Sequence, residues 1–371
     1  MSRNDWFLNR CPSIDEAAAQ QAQQRQQQLT KPPGSLGRLE QVAVALSSMQ
    51  SSLAPTVDNV EIAIFAGDHG VANEGVSAFP QAVTAEMVKN FVRGGAAISV
   101  IAKQIDAGLT VVNAGAINPE DFGAPVIDQP IAQGTQNIAL RSAMTRSQCM
   151  AALALGKSII DEYTDNIDLV IGGEMGIGNT TSATALAAAF GISAAANLVG
   201  PGSGLDSQGV ANKLKIIEKA LARLQETQQP RSPQPRQPID LPINLPINLP
   251  INLLGELGGF EIVALVGFYI GAAQRGMTIL VDGFISTVAA FAACQVNSGV
   301  RQWMLFSHDS AEPGHRLVLQ ALSAQPLLSL GMRLGEGSGA AVAVNLLRCA
   351  CALQNDMATF AEAGVSDGAD E

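Results

Sequence analysis

Glu336 stands in Leu334-Gly335-Glu336-Gly337-Ser338-Gly339, a carboxylate between two glycines. Its neighbours carry no side chains to shield it from a ligand. An apolar helical stretch, Ala340–Leu353, follows, so its surroundings are expected to be partly dry. Desolvation raises a carboxyl pKa and suits the group to general-base work near neutral pH. The plainer reading is a turn glutamate ahead of a helix, favourable only to the dipole, and spacing alone favours that one.

A second constellation runs Gly172-Gly173-Glu174-Met175-Gly176-Ile177-Gly178-Asn179-Thr180-Thr181. The apolar run Leu169–Ile171 ahead of it reads as a buried strand, the glycines as a turn, and the alanine-rich stretch behind it as a helix. Strand, glycine turn and helix N-terminus together make an anion site, because the backbone approaches closely and the dipole favours negative charge. From Gly173 the turn nearly spells a nucleoside-triphosphate loop, but Asn179 replaces its lysine. From Gly176 it nearly spells a dinucleotide fingerprint, but Thr181 replaces the third glycine. A single phosphate or carboxylate remains, or glycines that serve only a tight connection. Glu174 would repel a phosphate and suits sugar hydroxyls better. Lys213 could supply a cation, although a lone lysine on a helix is ordinarily solvated.

The three histidines are His69, His308 and His315. His308-Asp309, Glu312 and His315 suggest a metal, but a spacing of seven between the histidines matches no short zinc pattern. Together with Asp68-His69 they could converge as a hydrolase centre. The five cysteines are scattered without a CxxC, which reads as buried thiols in a reducing compartment.

The elements that must position these groups alternate. Val60–Ala66 reads as a strand ending in Gly67-Asp68-His69-Gly70, and a polar cluster past a strand's C-terminal end is where open α/β sheets hold ligands. Further strands are expected at Leu109–Asn113, Thr278–Val281 and Arg301–Phe306. Helices are expected from Ser35 to Met49 and over Ala96–Gln104, Ser142–Tyr163, Ser207–Leu224, Phe260–Gln274, Ser286–Val296 and Ala340–Leu353. The glutamines of 20–28 read as a solvated helix. Residues 119–135 read as loop. Residues 225–253 hold seven of the 18 prolines and three tandem Leu-Pro-Ile-Asn copies. Proline every fourth residue reads as a low-complexity, mobile surface insertion without helix. Repeated strand–glycine–helix units imply an α/β fold with a doubly wound, mainly parallel sheet and helices on both faces.

With 371 residues and 47% hydrophobic content, the chain can bury a large core. Its net charge of −11 argues against nucleic-acid binding, and any phosphate must be held by local donors. No stretch reads as a membrane span. The first residues lack the apolar core of a secretion signal, so the cytoplasm is expected.

Taken together, KPPGSLGRLE (31–40), GDHGVANEGVSAFPQAVT (67–84), GEMGIGNTTSA (173–183), GGFEIVALVG (258–267), VDGFIST (281–287), SHDSAEPGH (307–315) and MRLGEGSGAA (332–341) resemble the nicotinate-nucleotide–dimethylbenzimidazole phosphoribosyltransferase family. The resemblance runs from about residue 30 to 355. It implies that nicotinate mononucleotide and 5,6-dimethylbenzimidazole give α-ribazole 5′-phosphate and nicotinate, for the lower ligand of cobalamin. The family's catalytic glutamate falls on Glu336. Its donor-phosphate and ribose region falls on Glu174, Gly176, Asn179 and Thr180, with Lys213 and Ser310, and its base pocket falls on Phe79, Met87 and Met175. The three base-pocket residues are apolar here where the family varies, which leaves the preferred base open. The resemblance further implies a homodimer, no cofactor and no metal. It implies a small helical domain from both chain ends (1–55 and 326–371) beside a large α/β domain (56–325), with the 225–253 insertion a departure from the family. The alternatives carried beside it are a ligand-binding protein without catalysis, a nicotinamide dehydrogenase and a metal hydrolase.

Overall fold

A computed structural model describes residues 5–117, 122–228 and 248–366. Its centre is one six-stranded sheet of β1 (Val60–Gly67), β2 (Gly108–Gly115), β3 (Ile127–Asp128), β4 (Leu169–Met175), β5 (Thr278–Val281) and β6 (Met304–Phe306). The order is β3-β2-β1-β4-β5-β6, and every pairing is parallel. The chain builds outward from β1, returns, and builds outward on the other side. The order therefore reverses between β1 and β4, and a crevice opens there beyond the strands' C-terminal ends.

Alternate strand residues face two cores. Ala63, Phe65, Val112 and Val170 face one, with helices Arg146–Glu162, Phe260–Gln274 and Phe284–Val296. Ile62, Ile64, Val111 and Ile171 face the other, with helices Arg38–Met49, Ala82–Arg93, Ala97–Gln104 and Ser338–Asp356. Helices on both faces of a parallel sheet make the doubly wound α/β fold.

Several local expectations need correction. Gly172 and Gly173 lie inside β4, paired with Ala63 and Ile64, so the glycine turn begins only at Gly176. Bare Cα positions in a strand mark close approach by a neighbour: a Cβ on Gly172 would meet Leu265 and Tyr269, and one on Gly173 would lie 2.7 Å from the Glu336 carbonyl oxygen. The expected loop at 119–135 contains β3. Within 225–253, residues 225–228 complete the Ser207–Gln228 helix, and 248–253 begin the Asn248–Leu257 helix. Pro250 is tolerated in that helix's first turn, where the missing N–H would have no partner anyway. Ile251, Leu253 and Leu254 are buried. The rest of the Leu-Pro-Ile-Asn segment lies outside the described residues. The glutamine-rich helix, Glu16–Gln28, is solvated on one side but buries Ala18, Ala22 and Gln26.

Candidate active site

A cavity of about 480 Å³ lies over the β1/β4 crevice. β4 delivers Glu174 and Met175 to its floor. Gly176-Ile177-Gly178 turns the chain, with Gly178 at φ +96, and the Asn179–Ala189 helix starts against the cavity. Gly176 is required because a Cβ there would overlap the Gly67 carbonyl oxygen. Behind the helix start, the Lys213 ammonium donates to Thr180 Oγ1 at 2.7 Å and to the Gly200 carbonyl at 3.2 Å. Lys213 is fully buried. Burial draws its pKa down to about 8, and the nearby Glu312 carboxylate opposes that shift. Glu312 accepts the Gly202 N–H at 3.1 Å, and Arg333 donates to the Gly202 carbonyl at 3.0 Å.

The loop that carries Glu336 also lines the cavity. This residue holds φ +63 between Gly335 at +86 and Gly337 at +77, a left-handed run that only surrounding structure can impose on a glutamate. Glu336 is 6% exposed, and its Oε2 has no hydrogen-bond partner. Burial, then the neighbouring Asp282 carboxylate, pushes its pKa up to about 7. Glu174 is held well above the usual carboxylate range by burial and by Asp282, Glu261 and Glu336, against a stabilising hydrogen bond from the Glu336 backbone. Asn179 Nδ2 donates to Glu174 Oε2. The site thus holds one carboxyl poised near neutrality beside a second that favours its protonated form.

His308 and His315 pack with ring centroids 6.0 Å apart, but His69 has other partners. His69 lies fully buried between Ser182 Oγ at 2.9 Å and Glu261 Oε1 at 2.6 Å. The connectivity is that of a hydrolytic triad, but Ser182 and Glu261 are fully buried too, so no substrate reaches it. His315 Nδ1 accepts the Ser310 N–H at 2.8 Å, which leaves Nε2 to donate to Thr287 Oγ1 at 2.9 Å. Burial, with His308 beside it, lowers its pKa to about 3, so it is neutral. Both of its nitrogens are engaged, which removes it from the proposed metal set. Among the described residues, no group of three or more His, Cys, Asp or Glu side chains is arranged for a metal ion.

A family model described as phosphoribosyltransferase matches residues 11–365. The nicotinate-nucleotide–dimethylbenzimidazole phosphoribosyltransferase of Pseudomonas fluorescens SBW25 is 53% identical over 98% of each chain. The enzyme of the same name from Xanthomonas oryzae pv. oryzae is 51% identical over 98% of this chain and 99% of that one. The crystal structure of the Thermus thermophilus enzyme of that name superposes with a TM-score of 0.85 at 38% identity, covering 96% of this chain and all of the other. The chain belongs to the nicotinate-nucleotide–dimethylbenzimidazole phosphoribosyltransferase family.

In this family member, the cavity gathers nine of the ten residues on which the resemblance placed the site: Phe79, Met87, Glu174, Met175, Gly176, Asn179, Thr180, Ser310 and Glu336. Lys213 stands one layer behind, bonded to Thr180. It is not the solvated lysine its type suggests. It shares a helical stripe with Ile217, Ala220 and Leu224, all buried, and a charge in phase with an apolar stripe was the signal that it points inward. His308, Glu312, Arg333, Gly202 and Ser203 also line the cavity and were not assigned to it. Glu312 and His308 lay in the motif read for a metal. Arg333 lies in MRLGEGSGAA (332–341) with Glu336, and His308 and Glu312 lie in SHDSAEPGH (307–315), so the resemblance covered these three without giving them a role, whereas Gly202 and Ser203 lie in none of its motifs.

Proposed function

We propose that the chain transfers the phosphoribosyl group of nicotinate mononucleotide to 5,6-dimethylbenzimidazole, releasing nicotinate and α-ribazole 5′-phosphate, with Glu336 as general base. One observation carries this: a buried carboxylate with an unpartnered oxygen and a pKa near 7 lines a cavity that also has apolar and polar side chains in its wall. The acceptor is a flat base with little polarity. Val76, Phe79, Val83, Met87 and Met175 provide a matching apolar wall. The donor carries one phosphate and a ribose. The helix start at Asn179, with Thr180 backed by Lys213, suits the phosphate, and Glu174 suits the ribose hydroxyls.

The chemistry then follows. One ring nitrogen of the acceptor attacks C1 of the ribose through an oxocarbenium-like transition state. The bond to nicotinate breaks, and its electron pair leaves with the pyridine nitrogen. The N–H on the acceptor's other nitrogen becomes acidic as the new bond forms, and Glu336 takes that proton. Attack from the face opposite nicotinate inverts β to α. Alignment of two bound reactants supplies much of the gain. We extend the reading to a cytoplasmic homodimer; five free cysteines suit a reducing compartment, and sedimentation velocity tests the dimer.

The test is an incubation of the protein with both substrates, followed by chromatography of nicotinate and ribazole phosphate. Equal yields of the two are expected. Glu336→Gln should retain donor binding and lose about 10²-fold or more in turnover. Nicotinate without ribazole phosphate would mean hydrolysis, and wild-type turnover in Glu336→Gln would remove the base assignment.

A further inference from the structure

Glu336 does not hold its place by its own backbone preference, since φ +63 is unfavourable for a side chain. Two backbone groups just after it are tied to one carboxylate. Gly337 N–H donates to Asp282 Oδ2 at 3.1 Å, and Ala340 N–H donates to Asp282 Oδ1 at 2.9 Å. Asp282 follows β5 directly and is 1% exposed. The residue at the start of the Ser338–Asp356 helix is Gly337, which has no side chain with which to cap it. Asp282 supplies that cap from another part of the chain. On the far side, the bare Cα of Gly173 lets the Glu336 backbone seat against β4. The base therefore sits in a turn clamped between a strand and a carboxylate.

We propose that Asp282 is a positioning residue for the transfer: it clamps the turn that aims Glu336 into the cavity, and its negative charge keeps that carboxyl a strong enough base. This rests on Glu336 being the base. Several titratable groups surround Glu336. Glu174 faces it from β4, with Glu261 behind. Asp282 faces it from the end of β5, with the His308 imidazole 3.8 Å from Asp282 Oδ1. Glu312 and its own neighbour Arg333 line the same cavity. Of these, Asp282 is the charge that reinforces burial in raising Glu336. Asparagine keeps one of the two N–H acceptors and carries no charge, so it retains part of the clamp while it removes the electrostatic half, and the position of the pH limb reads that half by itself.

The experiment measures kcat against pH with saturating substrates for wild type, Asp282→Asn, Asp282→Ser and Glu336→Gln, each checked for a cooperative melt. Substrate ionisations are common to all, so displacement between variants is the readout. Wild-type kcat should rise with pH through about 7, as Glu336 loses its proton. In the neutral variants that limb should move down by about one unit. Their plateau should fall about 10-fold as the base weakens, with the donor KM changed less than about threefold. A purely structural role would lower kcat and leave the limb in place, and that result in both folded variants would overturn the proposal. Loss of turnover in Glu336→Gln together with an unmoved limb defeats Asp282 alone; full turnover in Glu336→Gln defeats the base assignment on which it rests. If neither variant folds, a carbon-13 titration of glutamate carboxyls in wild type decides, with the Glu336 signal identified by its absence in Glu336→Gln. A midpoint at the ordinary 4.5 would overturn the proposal.

Discussion

At the scale of single residues, function and stability pull Glu336 in opposite directions. A carboxyl whose folded pKa lies above its unfolded value favours the fold while it is protonated. The contribution of Glu336 is therefore fully present below about 4.5 and is lost as pH rises through about 7. At about pH 8 the ionised carboxylate sits buried beside Asp282, and a neutral amide of the same shape should sit there more easily. Glu336→Gln is expected to melt above wild type at about pH 8, by roughly 1–3 kcal/mol, with the gap closing toward about pH 5. Thermal melts at the two pH values check this, and an equal or lower melting point at the higher pH would refute it. An inactive but stabilised variant is the mark of a group kept for chemistry. The glycines on either side marked Glu336 in the sequence as open to a ligand. The dry surroundings that raise its pKa were read from the apolar stretch behind it, but the part played by Asp282 was not legible, because Asp282 reaches it only through the fold. Lys213 failed as a solvated lysine for a related reason: residue type was weighed, but its phase with Ile217, Ala220 and Leu224 was not.

At the scale of elements, the strand–turn–helix after Leu169 was legible and its boundary was not. Glycine is a turn residue on average, so Gly172 and Gly173 read as turn. In the fold they continue β4 because both neighbouring strands need its backbone, Gly172 pairing with Ala63 on one side and Val281 on the other. Successive residues of a strand face opposite sides, so these two glycines serve different neighbours. Gly172 admits Leu265 and Tyr269 from the helix layer, and Gly173 admits the Glu336 backbone. Alanine at the two positions should therefore fail differently. Gly173→Ala is expected to displace the Glu336 turn and cut kcat about 10²-fold, since small misplacement of a catalytic group costs that much. Gly172→Ala should overpack the helix layer, cost about 1–3 kcal/mol of stability, and spare kcat more. Steady-state kinetics and melting of the two variants separate these outcomes, and indistinguishable kcat losses would mean that the two faces are not independent.

At the scale of the whole molecule, one helix connects the site to a junction with the Glu16–Gln28 helix. The Ser338–Asp356 helix has 19 residues and spans roughly 28 Å at 1.5 Å per residue. Asp282 holds its N-terminus beside Glu336. Its C-terminus is held by Arg25 of the Glu16–Gln28 helix, which donates to the carbonyls of Gln354 at 2.7 Å, Asn355 at 3.2 Å and Met357 at 3.1 Å. A guanidinium there satisfies carbonyls that lack helical partners and complements the dipole. The general α/β layering was legible from alternating strands and helices. This junction was not, because nothing local in a run of glutamines shows that Arg25 turns toward the far end of the chain. Removing the side chain should unfasten the far end of the helix and leave the near end clamped. Arg25→Ala is therefore expected to destabilise the protein by about 1–3 kcal/mol while kcat, measured well below the melting temperature, stays within about twofold of wild type. Chemical denaturation and initial-rate assays on one preparation check both halves. A kcat that fell in step with stability would mean that the C-terminal anchor, as well as Asp282 and Gly173, sets the position of Glu336, and that the helix transmits strain along its length instead of isolating the site from it.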